Sequence, residues 1–179
     1  MAPLKQKGDH AELEVACDLR RRGFRIALPY GEDWDFDLIF QRPGCDALER
    51  VQVKHAKSQN GVVAIRCYSH SLTKGRIRQT KYYTATMVDW IAAYDPVSDR
   101  CYYVPSGYLG AGRSILHLRV VPARNSQRVG IHDAENFLDP ELPTQLPLSD
   151  ESEVPTAERL EPAGLEPAAS GLQSRRSSN

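Results

Sequence analysis

Glu12, Asp37, Gln52 and Lys54 are four side chains whose chemistry could act at one point. In "RVQVKHA" (50–56), Gln52 and Lys54 alternate with Val51 and Val53, the two-residue period of a strand. One face of that strand is apolar, and the other carries a carboxamide and an ammonium about 7 Å apart. In "DWDFDLIF", Asp33, Asp35 and Asp37 also alternate, but Asp37 alone abuts the apolar run Leu-Ile-Phe. A carboxylate at the mouth of a buried strand is costly unless a cation or hydrogen bonds accompany it. Asp33 and Asp35 read instead as a solvated loop with surface ion pairs. If the two strands pair, Asp37 meets Gln52 and Lys54, and Glu12 arrives from a helix. Two carboxylates and an amide oxygen are hard ligands suited to Mg2+. A neighbouring ammonium can orient a water or offset charge that builds during displacement at phosphorus. Taken singly, Gln52 and Lys54 fit a solvated sheet face equally well; the ordered set of four favours a site.

The elements that must position these groups follow from periodicity. "GDHAELEVACDLRRRGF" predicts a helix with Asp9 as N-cap and Gly23 as stop. At 100° per residue, Val15, Ala16 and Leu19 form an apolar stripe with Glu12 in its middle, while Glu14, Asp18 and Arg21 lie opposite. Asp9 and Glu12 also match a capping box, a structural role that competes with a catalytic one for Glu12. Strands are expected over 24–28, 35–40, 50–56 and 61–67, and "DWIAAY" and "RCYYVP" flank "DPVSD" as a hairpin. "SILHLRVV" reads as the last strand and "DAENFL" as a short closing helix. The expected class is α/β (α+β), an N-terminal helix packed on a central mixed β-sheet.

Composition sets the frame. The chain has 179 residues, 41% of them apolar, enough for one domain over 1–138. From 139 to 179, Pro, Glu, Ser and Ala dominate and "LEPAGLEPAA" nearly repeats, so a disordered acidic tail is expected. The net charge of zero divides into +7 over 1–130 and −7 over 131–179, an arrangement suited to a body that meets a polyanion. No apolar run approaches the length of a membrane span, and "MAPLKQKGDH" does not resemble a signal peptide. Cys17, Cys45, Cys67 and Cys101 form no CxxC pair, which argues for reduced thiols and a cytoplasmic location. Cys17, Cys67 and Cys101 are expected in the core.

"SLTKGRIRQTKYYTAT" (71–86) interleaves Lys74, Arg76, Arg78 and Lys81 with Tyr82 and Tyr83, so it could neutralise phosphates and pack on sugar or base. The competing view is an exposed loop leading into a helix, with one tyrosine in the core. Arg113, Arg119, Arg124 and Arg128 form a second basic group.

The four-residue set resembles the PD-(D/E)XK nuclease superfamily, and most of all its group I intron-associated homing endonucleases. "KGDHAELEVACDLRRRGFRIALPYGEDWDFDLIF" is similar to that branch's opening pattern, "RVQVKHAK" to its catalytic strand and "DWIAAYDPVSDRCYYVP" to a later hairpin. The likeness covers roughly 5–137. It implies a restriction-endonuclease-like core and an Mg2+-dependent endodeoxyribonuclease (Mn2+ being an alternative ion) that cuts double-stranded DNA as a homodimer or homotetramer. Asp37, Gln52 and Glu12, with the Val53 backbone carbonyl, would hold the metal, and Lys54 would be the catalytic lysine. Phe36 stands where the superfamily name has Pro. Gln52 replaces an acid and removes one negative charge, although glutamine is usual in the intron-associated branch. A Holliday-junction resolvase-like nuclease and a catalytically inactive DNA-binding module are the alternatives.

Overall fold

Leu4–Arg21 form α1 in the computed structural model, which describes residues 4–31, 33–73, 76–121 and 132–140. The helix begins five residues ahead of Asp9, so Asp9 is an interior residue and the expected capping box does not exist. "LKQK" consists of good helix formers, and the single Gly8 costs only about 1 kcal/mol relative to alanine, too little to stop the extension. The C-terminus is as expected. Gly23, at φ 90°, donates to the Arg20 carbonyl at 3.0 Å and Phe24 donates to the Leu19 carbonyl at 3.1 Å, the paired bonds of a Schellman end. Ala11, Val15 and Leu19, one turn apart, are fully buried. Asp18, expected to face solvent, instead accepts the Tyr103 hydroxyl at 2.7 Å and Arg22 Nε at 2.9 Å. Two polar partners allow it to sit at the rim of the packed face.

The strands are β1 (Arg25–Ala27), β2 (Leu38–Gln41), β3 (Leu48–His55), β4 (Val62–Arg66), β5 (Tyr68–Thr73), β6 (Arg76–Tyr82), β7 (Trp90–Asp95), β8 (Arg100–Pro105), β9 (Ile115–Arg119) and β10 (His132–Asp133). The main sheet runs β1-β2-β3-β7-β8, with β3 and β7 parallel and the other pairs antiparallel. Every residue of β7, "WIAAYD", is buried, as a strand covered on both faces must be. On one side Trp90, Ala92 and Tyr94 pack with Phe40, Val51 and the stripe of α1. On the other, Ile91 and Ala93 pack with Val63, Ile65, Leu116 and Leu118 of a second sheet ordered β10-β9-β4. So β9 is not the last strand: β10 pairs with it in parallel. The expected closing helix is a single 3-10 turn, Ala134–Phe137, whose Phe137 plugs that second core.

Within 71–86, residues 71–73 and 76–82 belong to a separate two-stranded ribbon, β5 paired antiparallel with β6, rather than to a loop that leads into a helix. Cys67 is buried as expected, whereas Cys101 is half-buried and Cys17 exposed, because position 17 lies across the helix from Val15 and Leu19. The described residues belong to one compact unit. The tail expected over 139–179 lies, past Pro140, outside the described residues, as do Arg124 and Arg128. No described helix is long and apolar enough to cross a membrane.

A buried carboxylate closes the hairpin after β7. Asp95, fully buried, accepts the Ser58 and Val97 backbone N–H groups at 2.9 and 3.1 Å and the Ser98 hydroxyl at 2.7 Å. Burial works to raise its pKa, but the N–H of Ser58 and the bonds from Ser98 and Val97 outweigh it and hold the group below the usual value. A group depressed on folding stabilises the fold above the unfolded pKa, near 4, and loses that contribution as pH falls through the folded value. Asp95→Asn is therefore expected to destabilise by about 1–3 kcal/mol at neutral pH. In thermal melts the gap between variant and parent should narrow as pH drops below about 4.

Candidate active site

The site grows from the place where two strands part. β2 and β3 pair antiparallel with Leu38 opposite Val51, and the Asp37 N–H donates to the Val51 carbonyl at 2.9 Å. That register ends at the Leu38–Val51 pair, and Asp37, one residue ahead of β2, turns its carboxylate onto Gln52 and Val53 of β3. Beyond it β2 supplies no further partner. The Val53 N–H, which would otherwise lack an acceptor on that side, donates to Asp37 Oδ2 at 2.8 Å. Gln52, only 7% exposed, donates Nε2 to the same Oδ2 and reaches the Val53 carbonyl at 3.3 Å. Among the described residues, Asp37 Oδ1 accepts no hydrogen bond. Burial pushes the Asp37 carboxyl above its usual value, opposed by the Val53 N–H and by the charge of Lys54.

Glu12 approaches from α1, half-buried on the flank of the stripe. Burial raises its pKa, followed by the charges of Asp37 and Asp9, and Lys54 lowers it. Lys54 shows the mirror pattern. Burial pulls its ammonium down, while Asp37, Cys67 and Glu12 hold it up and Arg66 adds to the lowering. Segments distant in sequence thus place two carboxylates, one carboxamide and one ammonium in a common electrostatic neighbourhood. This is the convergence the strand spacing predicts for Asp37, Gln52 and Lys54, with Glu12 joining from the helix.

Of the two readings of Tyr83, against a nucleic acid or in the core, burial selects the second: it is 3% exposed and lies beneath the site. Lys54 Nζ donates to its hydroxyl at 3.2 Å and sits 4.7 Å from the ring centroid. Burial pushes that hydroxyl up to about 12, so at neutral pH it is an uncharged phenol able to accept from the ammonium. No local pattern signals this contact, because 29 residues separate the partners. Lys81, also expected to meet a polyanion, forms an ion pair with Asp35, which fits the solvated-loop expectation for Asp35. Arg76 is exposed and Tyr82 is 45% exposed, both on the ribbon. Lys74 lies outside the described residues, and so does the side chain of Arg78.

Among the described residues no three His, Cys, Asp or Glu side chains cluster as a metal-holding group. The donor set here is two carboxylates, one of them with an oxygen free of hydrogen bonds, together with an amide and a backbone carbonyl. Such all-oxygen sets suit Mg2+ or Mn2+, and the upward pull on both carboxyls is what an added cation would relieve. The residues fit a divalent ion.

A helix on a mixed sheet, with an acid where β2 and β3 part and a lysine two residues past the glutamine that acid contacts, defines a restriction-endonuclease-like core. The family model described as PD-(D/E)XK endonuclease matches residues 3–140, and the chain belongs to that family. Among solved structures it is similar to a bacterial homing endonuclease, I-Ssp6803I, with a TM-score of 0.60 and 24% identity over 72% of this chain and 86% of that one. No curated protein matches it. The protein is thus an endonuclease by family, with a fold shared with that homing enzyme.

Proposed function

We propose that this protein is a metal-dependent endonuclease that hydrolyses phosphodiester bonds of double-stranded DNA in the manner of a homing enzyme. The observation that carries this is the contact of the Asp37 carboxylate with the Gln52 amide, with the charge of Lys54 beside it, just ahead of the start of β2. Asp37, Gln52, Glu12 and the Val53 carbonyl would hold Mg2+ or Mn2+, which when bound polarises the phosphate and lowers the pKa of a water. The amide nitrogen of Gln52 now faces two acceptors, Asp37 Oδ2 and the Val53 oxygen. Against a cation the favourable orientation is reversed, with its oxygen turned inward.

The chain's own groups do the rest. Lys54 presents a fixed positive charge to the phosphate oxygens and orients the attacking water. The P–O bond to the leaving oxygen breaks as the bond from water forms, and the extra negative charge at phosphorus in between is offset by the ammonium. One such centre cuts one strand, so a double-strand break requires two, which a homodimer or homotetramer supplies on two-fold symmetric DNA. The test is nicking and linearisation of supercoiled plasmid carrying the target, with Mg2+ or Mn2+ and with EDTA. Cleavage that survives EDTA overturns the metal role, and no cleavage under any ion overturns the enzyme.

A catalytically silent DNA-binding module is the second reading, favoured by the hydrogen bond that Gln52 makes to Asp37 in place of a third acid. Calorimetry separates the two. Absence of Mg2+ or Mn2+ heat together with retained DNA affinity selects the module.

Tyr83→Phe keeps the buried ring and deletes only the hydroxyl under Lys54. Loss of a hydrogen bond to a charged group predicts a slowing of single-turnover cleavage by about tenfold or more. DNA affinity in a binding titration should be unchanged, because the phenol is buried.

A further inference from the structure

The ribbon β5–β6 stands outside both packed cores, and its two faces differ in chemistry. Opposed residues share a face. On one, Tyr68 lies opposite Tyr82 and His70 opposite Thr80; the Tyr68 ring packs against His70 at 4.8 Å and Tyr82 at 5.9 Å, and His70 Nδ1 bonds Thr80 Oγ1 at 2.9 Å. An isolated hairpin is marginal in water, and this aromatic lattice is what stiffens it. On the other face, Ser69 lies opposite Lys81 and Ser71 opposite Gln79. Each of these four side chains is a hydrogen-bond donor, an acceptor or both, and Ser71, Gln79 and Lys81 are exposed.

Two contacts orient the polar face toward the active site. Lys81 pairs with Asp35, two residues from Asp37, and Ser69 lies close enough to the Tyr83 hydroxyl under Lys54 to lower its pKa against the larger upward push of burial. At the opposite side, the Tyr82 Cβ lies 3.4 Å from where a Cβ on Gly112 would stand, so the aromatic face backs onto the body. Residues 68–82 contain four Lys or Arg, of which Lys81 is paired with Asp35, and no Asp or Glu, which leaves a positive excess for a polyanion.

We infer that the polar face of this ribbon enters the DNA major groove next to the cut and reads base edges, with Gln79 and Ser71 as specificity residues. The inference rests on the proposed nuclease function. A two-stranded ribbon fits a major groove about 12 Å wide. Glutamine pairs bidentately with adenine N6 and N7, and serine serves either as donor or acceptor. Because β6 runs directly into Tyr83, the ribbon's position in the groove is geared to Lys54. A fixed distance between the recognised bases and the broken bond follows.

The experiment selects bound duplexes from a randomised library with the full-length chain, without cleavage-supporting metal, and compares the parent with Gln79→Ala, Ser71→Ala and Thr80→Ala. Gln79→Ala should relax preference at one base position by about tenfold, Ser71→Ala should relax an adjacent position more weakly, and Thr80→Ala, on the aromatic face, should leave the preferred sequence unchanged. An unaltered preference in both polar-face variants overturns the assignment, as does a parent that binds all duplexes alike or a shift caused by Thr80→Ala. Parent cleavage with Mg2+ is assayed in parallel. Retained preference without cleavage would remove the nuclease reading and leave the ribbon's role standing, whereas cleavage with no change in the variants would do the reverse.

Discussion

Lys54→Ala is expected to abolish plasmid nicking, lowering single-turnover cleavage by at least about 10²–10³-fold. The ammonium is costly to hold where it is. Burial pulls its pKa down, and Asp37, Cys67 and Glu12 keep it charged against that pull. A fold gains little from such a group, so its presence points to work on a substrate. Removing it leaves the Tyr83 hydroxyl without its donor but takes a charge out of the interior, and melting temperature should move by only a few degrees. Lys54→Arg should not restore the rate, because a planar guanidinium cannot occupy the ammonium's place against the Tyr83 hydroxyl. A Lys54→Ala enzyme that cuts within a few-fold of the parent would remove the site assignment.

Asp37 carries the second large effect, and two variants separate its roles. Asp37→Ala strips the acceptor from both the Val53 N–H and the Gln52 amide, which should cost about 1–3 kcal/mol in stability as well as all cleavage. Asp37→Asn retains a side-chain oxygen for those donors and loses the charge. It should fold as the parent does, yet neither cut DNA nor give a Mn2+ binding heat in calorimetry. Asp37→Asn with full activity, or with undiminished ion binding, contradicts the metal role. Together with Tyr83→Phe, the set distinguishes loss of the ion, loss of the ammonium and loss of its positioning.

Much of this arrangement is legible in the chain without its fold, because local physics encodes it. Alternation in "RVQVKHA" fixes which face Gln52 and Lys54 share, and the abrupt change from Asp37 to Leu-Ile-Phe marks an acid at a strand's entry. Gly23 ends α1 for the steric reason that only glycine adopts φ 90° there without penalty. Where local signals compete, the sequence misleads. Asp9 looks like an N-cap, yet four preceding helix formers carry α1 past it. Asp18 looks like a solvent-facing acid, until Tyr103, 85 residues away, donates to it.

The residue types of the site, their strand faces and the charge balance of the body were determined by the chain on its own, since each depends on neighbours within a few positions. The opening of the ladder at Asp37, the burial of Tyr83 under Lys54 and the direction in which the ribbon turns its polar face were decided by tertiary structure alone. These depend on pairings between strands tens of residues apart, and no local preference carries the energy of a contact that exists only after the sheet has assembled.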